Sequence, residues 1–196
     1  MSAREREDYV QALMQRVGMD ATLIRRFPHQ FSGGQRARIG IARALAVKPR
    51  FLVCDEAVAA LDVSIQAQVL NLFIRLREEF ALTYLFISHD LGVVRHVSDR
   101  VIVMYLGRII ESAATEELYM QANHPYTQAL VAEVPRVDVR RRRYVPIQGE
   151  IPSPLSPPSG CHFHPRCPRA FERCRGEVPA LREIAPGHFS ACHLND

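Results

Sequence analysis

The sequence predicts an α/β fold built on a parallel sheet, followed by a small module rich in cysteine and proline. Two apolar runs, Phe51–Cys54 and Leu82–Ile87, flank a helical stripe of Ile65, Val69, Leu72, Phe73, Leu76 and Phe80, which is the pattern of a β-α-β unit. Apolar side chains make up 47% of the 196 residues, enough for a sizeable core. Ten of the 13 prolines and four of the five cysteines lie beyond Val134. The expected organisation is therefore a core over 1–134, a linker over 135–148 and a module over 149–196.

Each element has its own signal. Val10, Leu13, Met14 and Val17 recur at helical spacing and predict a helix over about 5–17. Ser32 stands before Gly33-Gly34 and a run containing Ile41, Ala42, Leu45 and Ala46, which predicts a serine-capped helix closed by Pro49. Phe51–Cys54 then ends in Asp55-Glu56, as a strand buried on both faces of a parallel sheet would, with Cys54 as a small buried hydrophobe. A right-handed crossover lays this strand parallel to Leu82–Ile87 and brings Asp55-Glu56 and Ser88-His89 to the same carboxyl edge. Open α/β sheets bind their ligands at that edge. Val101–Leu106 and Arg108–Glu111, joined at Gly107, predict a hairpin, and Pro125 opens a last helix to about Glu133.

Charge and hydropathy exclude several classes. The amino terminus is charged within four residues, and no apolar run approaches the ~20 residues of a membrane-spanning helix, so neither a signal peptide nor a span is expected. The net charge of +4 draws on one cluster, Arg136 with Arg140–Arg143. That cluster reads as a solvated linker: no aromatic residues are interleaved with it to stack on bases, and no nucleic-acid partner is expected.

Ser32-Gly33-Gly34-Gln35 at a helix start is an anion site in physical terms, since close backbone approach, unpaired N–H groups and the helix dipole all favour negative charge. The longer string from Phe31 to Leu45 resembles the signature motif of ABC ATPases. Four apolar residues before Asp55-Glu56 resemble a Walker B motif, Ala60-Leu61-Asp62 a D-loop, and Ile87-Ser88-His89-Asp90 the switch-histidine segment. The resemblance implies an incomplete P-loop NTPase (ABC ATPase) core with part of its helical subdomain. It assigns Mg²⁺ to Asp55, water polarisation to Glu56, the γ-phosphate contact to His89, and ATP binding to Ser32, Gly33, Gly34, Gln35 and Asp62.

Val63–Leu72, His124-Pro125-Tyr126-Thr127 and Gly149–Pro154 narrow the resemblance to the oligopeptide/dipeptide branch of ABC importers. Ala37, Ala57 and Ala59 depart from that branch's pattern near the site. What the resemblance implies is an energy-coupling subunit peripheral to the cytoplasmic face of the plasma (inner) membrane. Its partners would be a second ABC ATPase subunit, permease subunits and, indirectly, a periplasmic or extracellular peptide-binding protein. A non-catalytic dimerisation or metal-binding fragment is the competing reading from another class, and an ABC ATPase outside transport is a third.

The sole lysine is Lys48, between Val47 and Pro49, so these residues contain no G-x-x-x-x-G-K-[ST] loop. In the resembling family ATP lies between one subunit's Walker A loop and the other's signature. Ser32–Gln35 is therefore expected to act in trans, and the isolated chain is expected not to hydrolyse ATP. A parallel sheet without its P-loop strand is expected to expose an edge and apolar surface, leading to aggregation or obligate pairing.

Cys161, Cys167, Cys174 and Cys192 fall in a segment too small for a core of its own, where a staple is expected. Disulfides have three pairings open to them, and ligation by four thiolates leaves zinc and an iron–sulfur cluster both open. Gly160–Pro168 resembles the peptide-importer C-terminal module, which implies a 4Fe-4S cluster, with zinc as the alternative. His162, His164, His188 and His193 are expected at the surface or behind the ligands.

Overall fold

Ser2 opens the first helix, α1 (Ala3–Arg16), with a reciprocal cap: its hydroxyl accepts from the Glu5 N–H at 3.2 Å, and the Glu5 carboxylate accepts from the Ser2 N–H at 2.6 Å. The computed structural model describes residues 1–134 and 147–196. Its contacts divide the chain into two compact units, Met1–Val93 and Val94–Asp196.

In the first unit, α1 buries Leu13 and Met14 and ends at Gly18, whose φ of +73° needs no Cβ. Any Cβ there would lie 2.8 Å from the guanidinium of Arg38, which donates to the Val17 carbonyl at 2.7 Å. Two 3-10 turns, Ala21–Arg25 and Pro28–Gln30, lead to α2 (Gly33–Leu45). Then come β1 (Phe51–Asp55), α3 (Val63–Phe80), β2 (Thr83–Ile87) and α4 (Leu91–Val97), within which the two units divide. β1 and β2 are parallel, in register from Phe51 opposite Thr83 to Asp55 opposite Ile87. The expected β-α-β unit is present.

One face of this pair is covered by α3. Phe73 meets Tyr84 and Phe86 edge to face at 5.6 and 5.7 Å, beside a buried stripe of Val69, Leu72 and Leu76. Cys54 points into the same layer, and burial pushes its thiol up to about 11. The other face carries Phe51, Val53, Leu85 and Ile87, which are 53, 57, 45 and 44% exposed. β1 is thus covered on one face only, because the described residues supply a single layer for a sheet type that ordinarily has two.

The second unit is an antiparallel sheet of order β3-β4-β6-β5. β3 (Arg100–Tyr105) and β4 (Arg108–Ala114) form the expected hairpin, turning through Leu106 and Gly107, both at positive φ (43° and 77°), the geometry of a tight two-residue loop. α5 (Thr115–Gln121) and α6 (Pro125–Glu133) follow, then α7 (Glu172–Gly176), β5 (Arg182–Ala185) and β6 (His188–Ser190). β6 pairs with β4, Glu111 opposite Ser190 and Ser112 opposite Phe189, so the cysteine-rich segment shares a sheet with the hairpin. Phe163, 2% exposed, packs against Tyr105 and Tyr126 at 5.2 and 5.3 Å and gives the segment a core in common with α6. Most of the expected linker, including Arg136 and Arg140–Arg143, lies outside the described residues.

Candidate functional site

The Ser32–Gln35 turn closes on itself. The Ser32 hydroxyl accepts from the Gln35 N–H at 3.3 Å, and the Gln35 amide oxygen accepts from the Ser32 N–H at 3.0 Å. This reciprocal cap fixes the start of α2 while the N–H groups of the first turn remain without helical partners, as an anion site requires. Ser32 and Gly33 are exposed, whereas Gly34 and Gln35 are half-buried.

At the carboxyl edge of β1 and β2 the expected meeting occurs. The Glu56 N–H donates to the Ile87 carbonyl at 3.0 Å and extends the ladder by one residue. Holding it there puts Glu56 at φ +45°, a left-handed conformation that costs a non-glycine residue about 1–3 kcal/mol. Its carboxylate lies 3.2 Å from Nδ1 of His89, the side chains being 59 and 72% exposed. An ionised carboxylate only accepts, so in this contact Nδ1 of His89 carries the proton. Asp55, also exposed, has a carboxylate with no hydrogen bond among the described residues. Such an oxygen donor at a strand end suits a hard cation.

Asp62 stands at the amino end of α3. Its carbonyl accepts from the Gln66 N–H at 2.7 Å, while its side chain makes no capping bond and is left exposed. Behind His89, Asp90 performs the capping that sequence reading passed over: Oδ1 accepts from the N–H groups of Gly92 and Val93 at 2.8 and 3.2 Å. Aspartate directly before an apolar stretch was the available signal. An apolar cavity of about 610 Å³ between α1 and α2, lined by Leu13, Met14, Phe31 and Ile39 with Arg36 and Arg43 among its walls, includes none of Asp55, Glu56, Asp62 or His89.

The cysteine module carries Cys161, Cys167, Cys174 and Cys192, two of them within the turns Cys161–His164 and Cys167–Ala170. All four cysteines are free thiols. Burial raises Cys161, Cys167 and Cys192, with the neighbouring thiols adding to the effect and backbone N–H groups opposing it. The thiols therefore sense one another, yet among the described residues no group of three or more His, Cys, Asp or Glu is placed to hold a metal ion.

Of the four histidines expected at the surface or behind the ligands, His162, His188 and His193 are buried, at 9, 3 and 6% exposed. His188 lies between two carboxylates, with Nε2 2.8 Å from Glu111 and Nδ1 3.1 Å from Glu117. Glu111, fully buried, also accepts from the N–H groups of Asn123 and His124 at 2.7 and 2.8 Å. His124 in turn caps α6, accepting from the Tyr126 N–H at 3.1 Å, and burial lowers its imidazole to about 4. Because these partners come together only through the pairing of β4 with β6, no local sequence pattern announces them.

The chain is similar to known ABC transporter proteins. Residues 2–59 match the ABC transporter family model, and residues 110–174 match that of the oligopeptide/dipeptide transporter C-terminal region. The oligopeptide transport ATP-binding protein AppF of Bacillus subtilis is 57% identical over 97% of this chain and 59% of its own length. The dipeptide transport ATP-binding protein DppF of Haemophilus influenzae is 50% identical over 98% of this chain and 59% of its own. The chain thus spans about three fifths of the length of these relatives. Among solved structures, cbiO1 of Clostridium perfringens, part of an ABC transporter complex, matches with a TM-score of 0.56 and 28% identity over 62% of this chain and 48% of that one. The ADP conformation of an ATP-binding cassette matches with a TM-score of 0.55 and 23% identity over 65% and 50%. The fold is that of an ABC ATPase cassette.

Proposed function

We propose that the chain is a member of the oligopeptide/dipeptide ABC transporter ATP-binding family, to whose proteins it is 50–57% identical over nearly its whole length, and the signature-bearing part of a subunit that couples ATP hydrolysis to peptide import. The observation that carries this reading is the 3.2 Å contact of Glu56 with His89 at the sheet edge that also bears Asp55. Mg²⁺ held with Asp55 would supply charge neutralisation at the phosphates. Glu56 accepts a proton from the attacking water, and its carboxylate holds the His89 ring at 3.2 Å, from which an imidazole with both ring nitrogens protonated would donate to a phosphate oxygen through Nε2. Ser32 and the first turn of α2, with Asp62, face a nucleotide bound by a second subunit. The phosphate-cradling lysine is assigned to a segment or subunit outside these residues, since Lys48 sits in no such loop.

The work would be done at the cytoplasmic face of the membrane with permease subunits, fed by a peptide-binding protein. No described helix is long and apolar enough to cross a bilayer. The four cysteines are proposed as ligands of a 4Fe-4S cluster, or of zinc, on donor chemistry alone. Iron, sulfide and zinc analysis after anaerobic purification tests it, and a metal-free protein would sink it.

The function is tested in vesicles carrying the assembled transporter. ATP-dependent peptide uptake that is lost on Ser32→Arg supports the reading. Uptake indifferent to Ser32→Arg would favour the competing role, a non-catalytic dimerisation or metal-binding fragment.

A further inference from the structure

Gly34 is glycine for a reason that its backbone does not supply. Its φ is not positive, so nothing in the conformation of the turn excludes a side chain. A Cβ at Gly34 would instead stand 2.5 Å from Cγ2 of Ile65 and 3.8 Å from its Cβ. The neighbouring Gly33 has room: a Cβ there would meet Leu61 Cδ2 at 3.7 Å, an ordinary contact.

Ile65 is the third residue of α3, three after Asp62, in the turn where the Gln66 N–H holds the Asp62 carbonyl at 2.7 Å. As a β-branched residue within a helix it has little χ1 freedom, so its Cγ2 is a fixed stop rather than a flexible tip. One turn further along both helices, Arg38 donates to the Gln68 amide oxygen at 3.2 Å and continues the line of contact between α2 and α3.

We propose that Ile65 is a positioning residue which, seated on Gly34, locks the Ser32–Gln35 turn to Asp62 so that both reach a partner's nucleotide as one rigid element. This rests on the functional reading above. A Cβ at Gly34 would force α2 and α3 apart by about 1 Å, and a displacement of that size at a reacting site costs on the order of a hundredfold in rate.

The test is a set of variants in the assembled complex, read as ATP turnover at saturating ATP, with KM measured alongside. Gly34→Ala is expected to lower kcat about a hundredfold while leaving KM for ATP unchanged. In the Gly34→Ala, Ile65→Ala double variant kcat should return to that of Ile65→Ala alone, because the stop has been removed. Ile65→Val, which keeps Cγ2, should give no rescue. A Gly34→Ala loss equally deep with and without Ile65→Ala would overturn the proposal and leave the functional reading standing. A wild-type complex with no ATP turnover sinks the functional reading instead. Thermal unfolding of the chain alone then reads the contact itself: Ile65→Ala must abolish the destabilisation caused by Gly34→Ala, and additive melting shifts would show that the two residues do not meet.

Discussion

Replacing Glu111 by alanine removes the acceptor on which three separate groups converge. Its carboxylate is fully buried and takes the N–H of Asn123 at 2.7 Å, the N–H of His124 at 2.8 Å and Nε2 of His188 at 2.8 Å. Two orphaned buried N–H groups cost about 1–3 kcal/mol each when nothing replaces their partner. Nε2 of His188 loses its acceptor in the same pocket, at a similar cost. His188 keeps its contact with Glu117, and water can reach part of the opened site, so a loss of about 4 kcal/mol is expected. At roughly 4 °C per kcal/mol for a domain of about 100 residues, the transition of the second unit should fall by about 15 °C. Glu111→Gln keeps one oxygen for the N–H groups and should cost only about 1–2 kcal/mol. Scanning calorimetry of the three proteins measures this order. A Glu111→Ala shift below about 3 °C, or a Glu111→Gln loss equal to that of Glu111→Ala, would show that this network does not hold β6 against β4.

Three further outcomes follow from other sites. Burial disfavours the charged form of His124 and lowers its imidazole from the ordinary 6.5 to about 4. The unfolded chain therefore binds the extra proton first, and stability should be full above about 6.5 and fall by roughly 3 kcal/mol as pH drops to 4. His124→Asn, which keeps an acceptor for the Tyr126 N–H, should flatten that slope in urea titrations. Cys54, buried and raised to about 11, should stay unreactive toward a thiol reagent at pH 8 until the first unit unfolds, so prompt modification of Cys54 would contradict the packing of β1 on α3. Val53→Thr with Leu85→Thr should reduce binding of a hydrophobic dye and aggregation of the isolated chain without lowering its melting point, because both side chains face away from α3.

The legible parts of this molecule were the ones written locally. Ser32 with Gln35, an apolar run ending in Asp55-Glu56 and the stripe from Val69 to Leu76 each specify their element within one or two turns of chain, and right-handed crossover does the rest by placing His89 beside Glu56. α4 escaped because its signal is a single capping residue, Asp90, on a helix of seven residues. The pairing of β4 with β6 escaped because Glu111 and His188 are 77 positions apart, and β6 has only three residues on which alternation could be read. Counting cysteines identified a donor set. It could not say whether four sulfurs converge, since that depends on how Phe163, the β4–β6 pairing and the His188 contacts fix three separate stretches of backbone.

On the proposed reading Glu56 handles the attacking water at the edge it shares with His89. Single-turnover release of phosphate from ATP by the assembled complex tests it most directly. Glu56→Gln is expected to slow that step by about 10²–10⁴-fold while ATP stays bound. Phosphate release at the wild-type rate in the Glu56→Gln complex would contradict it.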